Sequence, residues 1–199
     1  MNYKLLLLAS PLIISAFFAR QSFGSSLIET EAKANKGDKL AQYQLGLEYY
    51  HHPNIVKDYQ HALYWFKKAA EQGVIEAAFC LGVLYEEGKG TPKDSAQAKS
   101  WYEKAAETGH VKAQYNLGLM LYEGYGLQQD IPTSLYWFTQ AANQGHAKAQ
   151  YRLGYAHSEG KGGIPKNIPL AVEWLNKAAQ NGEKEAAILL SLIKKSEPS

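Results

Sequence analysis

The 199-residue chain holds a single cysteine, Cys80, so no disulfide can form within it and packing alone must hold the fold. Cys80 sits beside Leu81-Gly82 on an expected helix and reads as a small apolar side chain. An excess of charge is also missing. The formal charge of +2 comes from Lys4 and Arg20, in a segment expected to be removed, and without them 19 basic residues face 19 acidic ones. A neutral protein lacks the basic surface that nucleic acid or an anionic membrane requires, so neither is expected as a partner. No apolar run reaches the ~20 residues of a spanning helix. Leu5 to Ala19 comes nearest, and Pro11 interrupts it. With Lys4 before it and Ser22-Phe23-Gly24 after it, the run has the layout of a secretory signal cleaved after Gly24, a retained anchor being the competing reading. Residues 1–24 are therefore expected to be lost on export to the periplasm or beyond, with no membrane insertion afterwards. No cysteine follows the run to carry a lipid.

Chemistry-bearing constellations are absent as well. The histidines are His51, His52, His61, His110, His146 and His157. Adjacent on a helix end, His51 and His52 point about 100° apart and chelate poorly. His110 and His146 each follow a helix-stopping glycine and read as solvated loop residues. No spacing matches a zinc or EF-hand set, and Gly-x-Gly recurs without the preceding strand of a phosphate-binding loop. No Ser/His/Asp set stands out. No catalytic residue, metal or cofactor is expected.

What the chain has is repetition. Residues 77–112 carry Ala77, Leu81-Gly82, Tyr85, Gly88, Gly90, Asp94, Ala98, Trp101-Tyr102, Ala105-Ala106 and Gly109. The pattern returns as Ala113, Leu117-Gly118, Gly124, Gly126, Asp130, Trp137-Phe138, Ala141-Ala142 and Gly145. It stands earlier as Ala41, Leu45-Gly46, Asp58, Ala62, Trp65-Phe66, Ala69-Ala70 and Gly73, and later as Ala149, Leu153-Gly154, Gly160, Gly162, Asn167, Ala171, Trp174-Leu175, Ala178-Ala179 and Gly182. Such a period means an array of supersecondary units. Each unit predicts two helices. The first runs from about Ala113 to Glu123 in the third copy, with Leu117 and Gly118 on its apolar face. A mid-helix glycine costs about 1 kcal/mol against alanine. Gly46, Gly82, Gly118 and Gly154 therefore mark where the partner helix crosses closely. The second helix starts at the N-cap types Asp58, Asp94, Asp130 or Asn167, and ends at Gly73, Gly109, Gly145 or Gly182 in left-handed backbone. The four tryptophans share one register position and read as packing residues. In the first copy His52-Pro53-Asn54 replaces the glycine loop, and the fourth copy has one extra residue after Gly162.

Residues 25–40 predict a Ser-rich linker and an N-terminal capping helix, with Ala34 and Gly37 one period before Ala70 and Gly73. The repeats are bounded as 41–76, 77–112, 113–148 and 149–185. A C-terminal capping helix at 186–195 closes the array, and Glu197-Pro198-Ser199 is a frayed tail.

This pattern resembles the Sel-1-like repeat, a relative of the tetratricopeptide repeat, over residues 41–196. The resemblance implies an all-α, right-handed α/α superhelical solenoid that acts as a scaffold or adaptor, in bacteria often exported and linked to envelope assembly or host interaction. One exported branch carries a disulfide in every repeat and is associated with penicillin binding. With Cys80 alone, this chain departs from that branch and the activity is not carried over.

By the same analogy the first helices line a concave face. Tyr43, Phe79, Tyr115 and Tyr151 precede each Leu-Gly pair by two residues. Leu47, Val83, Leu119 and Tyr155 follow each glycine, and Tyr50 and Tyr122 extend the stripe. Exposed aromatic groups in a concave surface are binding anchors. Packing between repeats is the other reading of the Tyr43 series. Asn116 and Arg152 neighbour the stripe as ligands for a peptide carboxylate or backbone. The function expected is a non-enzymatic, exported, monomeric scaffold that binds a protein or peptide. The alternatives are a peptidoglycan-associated envelope enzyme or carbohydrate-binding factor, and an effector delivered into a host cell.

Overall fold

The structure is a computed structural model that describes residues 27–51, 58–125 and 128–196. The expected signal at 1–24, Ser25-Ser26, His52-Pro53-Asn54, Gly126 and Glu197-Pro198-Ser199 lie outside the described residues. Among the described residues every regular element is helical. Helix α1 covers residues 27–35. It is followed by α2 (Lys39–His51), α3 (Tyr59–Glu71), α4 (Ile75–Glu87), α5 (Ser95–Glu107) and α6 (Val111–Glu123). The series continues with α7 (Ile131–Asn143), α8 (Ala147–Glu159), α9 (Ile168–Gln180) and α10 (Lys184–Ser196). The extra residue of the fourth copy falls in a 3-10 turn, Lys161–Gly163. This is the all-α helical-repeat solenoid class expected from the period.

The chain divides into two compact units, one ending at Val74 and one starting at Ile75. In the N-terminal unit Ala34 of α1 joins Ala41, Leu45 and Trp65 in one core, with Leu27 and Tyr49 packed against it. In the C-terminal unit each helix packs on the next from α4 to α10. Leu135, Phe138, Ala141, Ala149 and Leu153 form one core cluster there, and Leu175, Ala178, Ala186, Leu190 and Ile193 another.

The helix pairs cross where the mid-helix glycines stand. A Cβ built on Gly82 would lie 2.5 Å from the ring of Tyr102, and one on Gly118 would lie 2.8 Å from Phe138. Gly46 meets Phe66 and Gly154 meets Leu175 in the same way. The second-helix side chain occupies the space that a methyl group would need, which is the steric reason for accepting a poor helix former.

The ends of the second helices also form as their residues dictate. Side-chain oxygens of Asp58, Asp94, Asp130 and Asn167 accept from the backbone N–H of His61, Gln97, Thr133 and Leu170 at 3.0–3.1 Å. Gly145 closes α7 at φ +85. The first helices start earlier than expected: α6 begins at Val111, not Ala113. His110 is the reason. Its ring Nδ1 accepts from the N–H of Ala113 at 3.1 Å, and His146 does the same for Ala149 at 3.3 Å. The expectation of solvated loop histidines is thereby corrected: both are half-buried N-caps.

Candidate binding face

All twelve stripe residues are half-buried, neither sealed in the core nor free of it. In the N-terminal unit Tyr43, Leu47 and Tyr50 lie on α2. Tyr43 tilts against Phe66 at 5.9 Å, and Tyr50 stands edge-on to Tyr59 at 5.4 Å. In the C-terminal unit Phe79 and Val83 lie on α4, Tyr115, Asn116, Leu119 and Tyr122 on α6, and Tyr151, Arg152 and Tyr155 on α8.

Phe79 and Tyr115 are each held on two sides. Phe79 tilts against Tyr102 of its own pair at 5.9 Å and stacks on His110 of the next at 4.7 Å. Tyr115 repeats this with Phe138 at 5.8 Å and His146 at 4.5 Å. The capping histidines thus also brace the stripe. Burial lowers the pKa of both imidazoles, which keeps them neutral and able to accept the capping hydrogen bond.

Polar groups along the stripe are engaged with it. Tyr102 takes the place of Phe66 and Phe138, so its hydroxyl needs partners inside the fold. It donates to Glu86 at 2.6 Å and accepts from the Asn116 amide at 3.1 Å, which links α4, α5 and α6. Burial first, then the Glu86 hydrogen bond, push the Tyr102 phenol far above its ordinary pKa. The Arg152 guanidinium lies 5.7 Å over the Tyr122 ring and 3.8 Å from Glu123. Lys161 Nζ sits 4.8 Å over the Tyr155 ring and 3.2 Å from its hydroxyl.

One feature of the helix contacts has no counterpart in the expectations. Gln114 is 4% exposed on α6; its amide nitrogen donates to Ala106 O at 3.1 Å. Its oxygen accepts from Gln144 Nε2 at 2.8 Å, and Gln144 also donates to Gly109 O at 3.1 Å. Gln42 with Gln72, and Gln150 with Asn181, build the same clip. In the remaining copy Ala78 and Thr108 stand at these two positions, so both partners are replaced together. That joint replacement was the readable signal.

The tryptophans do not share one environment. Trp65 and Trp101 are buried, whereas Trp137 and Trp174 are half-buried, with Trp174 packed against the cluster that holds Phe138. Cys80 is half-buried, and burial pushes its thiol up to about 12, which suits packing and not nucleophilic chemistry. Among the described residues no cluster of three or more His, Cys, Asp or Glu is placed to hold a metal, and no helix is long and apolar enough to cross a membrane.

The Sel1 repeat family profile matches residues 39–74, 75–110, 111–146 and 147–183. Its phase is that of the helices, two residues ahead of a count that starts at Ala41. A protective antigen present in uropathogenic Escherichia coli strains, displaying an SLR fold, is 40% identical with a TM-score of 0.80, over 84% of this chain and 36% of that one. A Sel1 repeat protein from Oxalobacter formigenes is 35% identical with a TM-score of 0.72, over 77% of this chain and 61% of that one. Cysteine rich protein B of Helicobacter pylori shares the fold at 21% identity and a TM-score of 0.53, over 70% of this chain and 100% of that one. The chain thus spans little more than a third and about three fifths of the first two. No curated protein matches the chain.

Proposed function

This chain belongs to the Sel1 repeat family, whose members are commonly protein-interaction scaffolds, and we propose that it binds a protein or peptide along the stripe of its first helices. One observation carries this reading. Phe79 and Tyr115 are fixed by ring contacts on two sides yet remain half-exposed. A ring held in one rotamer before binding loses little entropy on binding, which is what an anchor residue requires. Arg152 and Lys161, seated over Tyr122 and Tyr155, add cationic heads at the same face for a carboxylate or backbone carbonyl. The scaffold acts as a monomer without catalysis, outside the cytoplasm, in envelope assembly or host interaction. The signal-like layout of residues 1–24 supports export, and so does a relative that is a protective antigen.

The test replaces Tyr151→Ala with Tyr155→Ala and compares cross-linked capture from a native envelope extract, with Tyr64→Ala as control on α3. The circular dichroism spectrum should not change. Capture of the main partner should fall at least about tenfold in the stripe variant, each anchor contributing about 1–2 kcal/mol, and not in the control. Equal capture by the stripe variant and the parent would remove the stripe as the binding face.

A further inference from the structure

The second helices carry an aromatic site of their own, apart from the stripe. Tyr136 on α7 is 55% exposed and stands edge-on to Trp137, ring centroids 5.0 Å apart at 72°. With Gln140, Asn143 and Gln144 of the same helix and its C-cap, and Glu107 of α5, they line a cavity of about 500 Å3. That volume falls within the range of small-ligand sites. Gln144 is a fixed wall, because its amide nitrogen is held by Gly109 O and Gln114 Oε1.

Position 140 is where this repeat departs from the others. The equivalent residues are Lys68, Lys104 and Lys177. Lys104 Nζ lies 4.0 Å above the Trp101 ring and Lys177 Nζ 4.5 Å above Trp174, so a cation occupies the ring face that a ligand would need. Gln140 brings no charge, and among the described residues no cation lies over Trp137.

We infer that this cavity is a subsite for a neutral sugar ring. A pyranose has a face of C–H groups, which lies on an indole or phenol ring, and a rim of hydroxyls that each donate and accept. A carboxamide offers donors and an acceptor in one plane, so Gln140 and Asn143, with the remaining acceptor oxygen of Gln144 and the Glu107 carboxylate, match that rim. No cation lines the cavity and Glu107 repels anions, so a phosphorylated, sulfated or sialylated ligand is disfavoured. The arrangement is also not periodic within its unit: Ser100 and Glu173 replace Tyr136, and lysines replace Gln140. An extended peptide gains from a surface repeated from one helix to the next, whereas a compact ring needs only one.

The test titrates the whole chain with N,N′,N″-triacetylchitotriose, cellotriose and maltotriose, following tryptophan emission. At least one is expected to saturate with a Kd of about 1 mM, while sialyllactose and a proline-rich peptide do not. Gln140→Lys restores the lysine of the other repeats. It is expected to weaken sugar binding at least about tenfold with an unchanged melting temperature, and Trp137→Ala to abolish it, both variants being read by titration calorimetry. Silence of all three sugars at about 10 mM overturns the inference. So does a sugar response that persists in Gln140→Lys, or saturation by the peptide in place of the sugars.

Discussion

Neutral imidazoles cap α6 and α8, and that makes two residues conditional on pH. A proton on His110 or His146 removes the Nδ1 acceptor and places positive charge at the positive end of a helix dipole. Lys112 faces both rings and Lys148 faces His146, which adds repulsion; Glu76 faces His110 and offsets part of it. Burial, the larger cause, acts in the same direction as the lysines, so both folded pKa values lie below the ordinary 6.5. The unfolded chain then binds more protons than the folded one between the folded values and 6.5, and stability must fall with pH through that window. The contribution is complete above 6.5 and disappears as pH drops past the folded values. His157, lowered by burial, has the same sign, while Asp58 and Asp130, held below the ordinary carboxylate range by their hydrogen bonds to residues 61 and 133, act only at more acid pH. Urea unfolding at pH 7.5 and pH 5 should show the loss, about 1 kcal/mol for each cap. His110→Asn with His146→Asn keeps a capping oxygen that does not titrate and should flatten the dependence. An unaltered slope in that variant would mean that the caps are not its source.

Between elements, the glutamine clip joins the start of a first helix to the preceding helix end and to its own pair's C-cap. In the C-terminal unit Gln114→Ala would remove two hydrogen bonds at once, one of those that Ala106 O accepts and one of the two that the Gln144 amide donates. Each hydrogen bond contributes about 0.5–1.5 kcal/mol net, whereas removing both of its sides can be nearly neutral. Gln114→Ala is therefore expected to destabilise by about 2 kcal/mol, and Gln114→Ala with Gln144→Thr, the pair that nature has at Ala78 and Thr108, by less than the sum of the single changes. A double-mutant cycle in urea measures the coupling; strict additivity would show that the clip does not act as a unit. The clip also shows why some elements were legible and it was not. The aspartate caps and crossing glycines follow from local chemistry or from one residue's size. Gln114 sits on a helix where glutamine ordinarily faces water, and only its partner 30 residues away explains it. Histidine at an N-cap was opaque for a related reason, since its acceptor role depends on a tautomer that the neighbouring backbone selects.

For the whole molecule, the repeat in the sequence was enough to give the helices, their order and the family, because four copies fix a register that one copy leaves open. It did not separate positions that share a register but differ in surroundings. Trp137 and Trp101 align, yet Lys104 covers one ring and Gln140 leaves the other open, a difference that the shared register does not show. Helix α10 makes a similar point about positions of one register in different surroundings. A terminal helix is expected to turn a polar face to water. Helix α10 buries Ala186, Leu190 and Ile193, but Ile188 is 62% exposed and Leu192 55%, one turn apart on the other side. Two such residues make a small apolar patch, too small to hold a stable dimer, and any association at high concentration is expected to run through it. Because neither side chain lies in the core, Ile188→Glu with Leu192→Glu should leave the urea unfolding free energy within about 0.5 kcal/mol. The same change should abolish concentration-dependent association in sedimentation velocity. Should the variant lose about 2 kcal/mol instead, that side of α10 is packed and not exposed. Association that persists in a fully stable variant would place the contact on another surface.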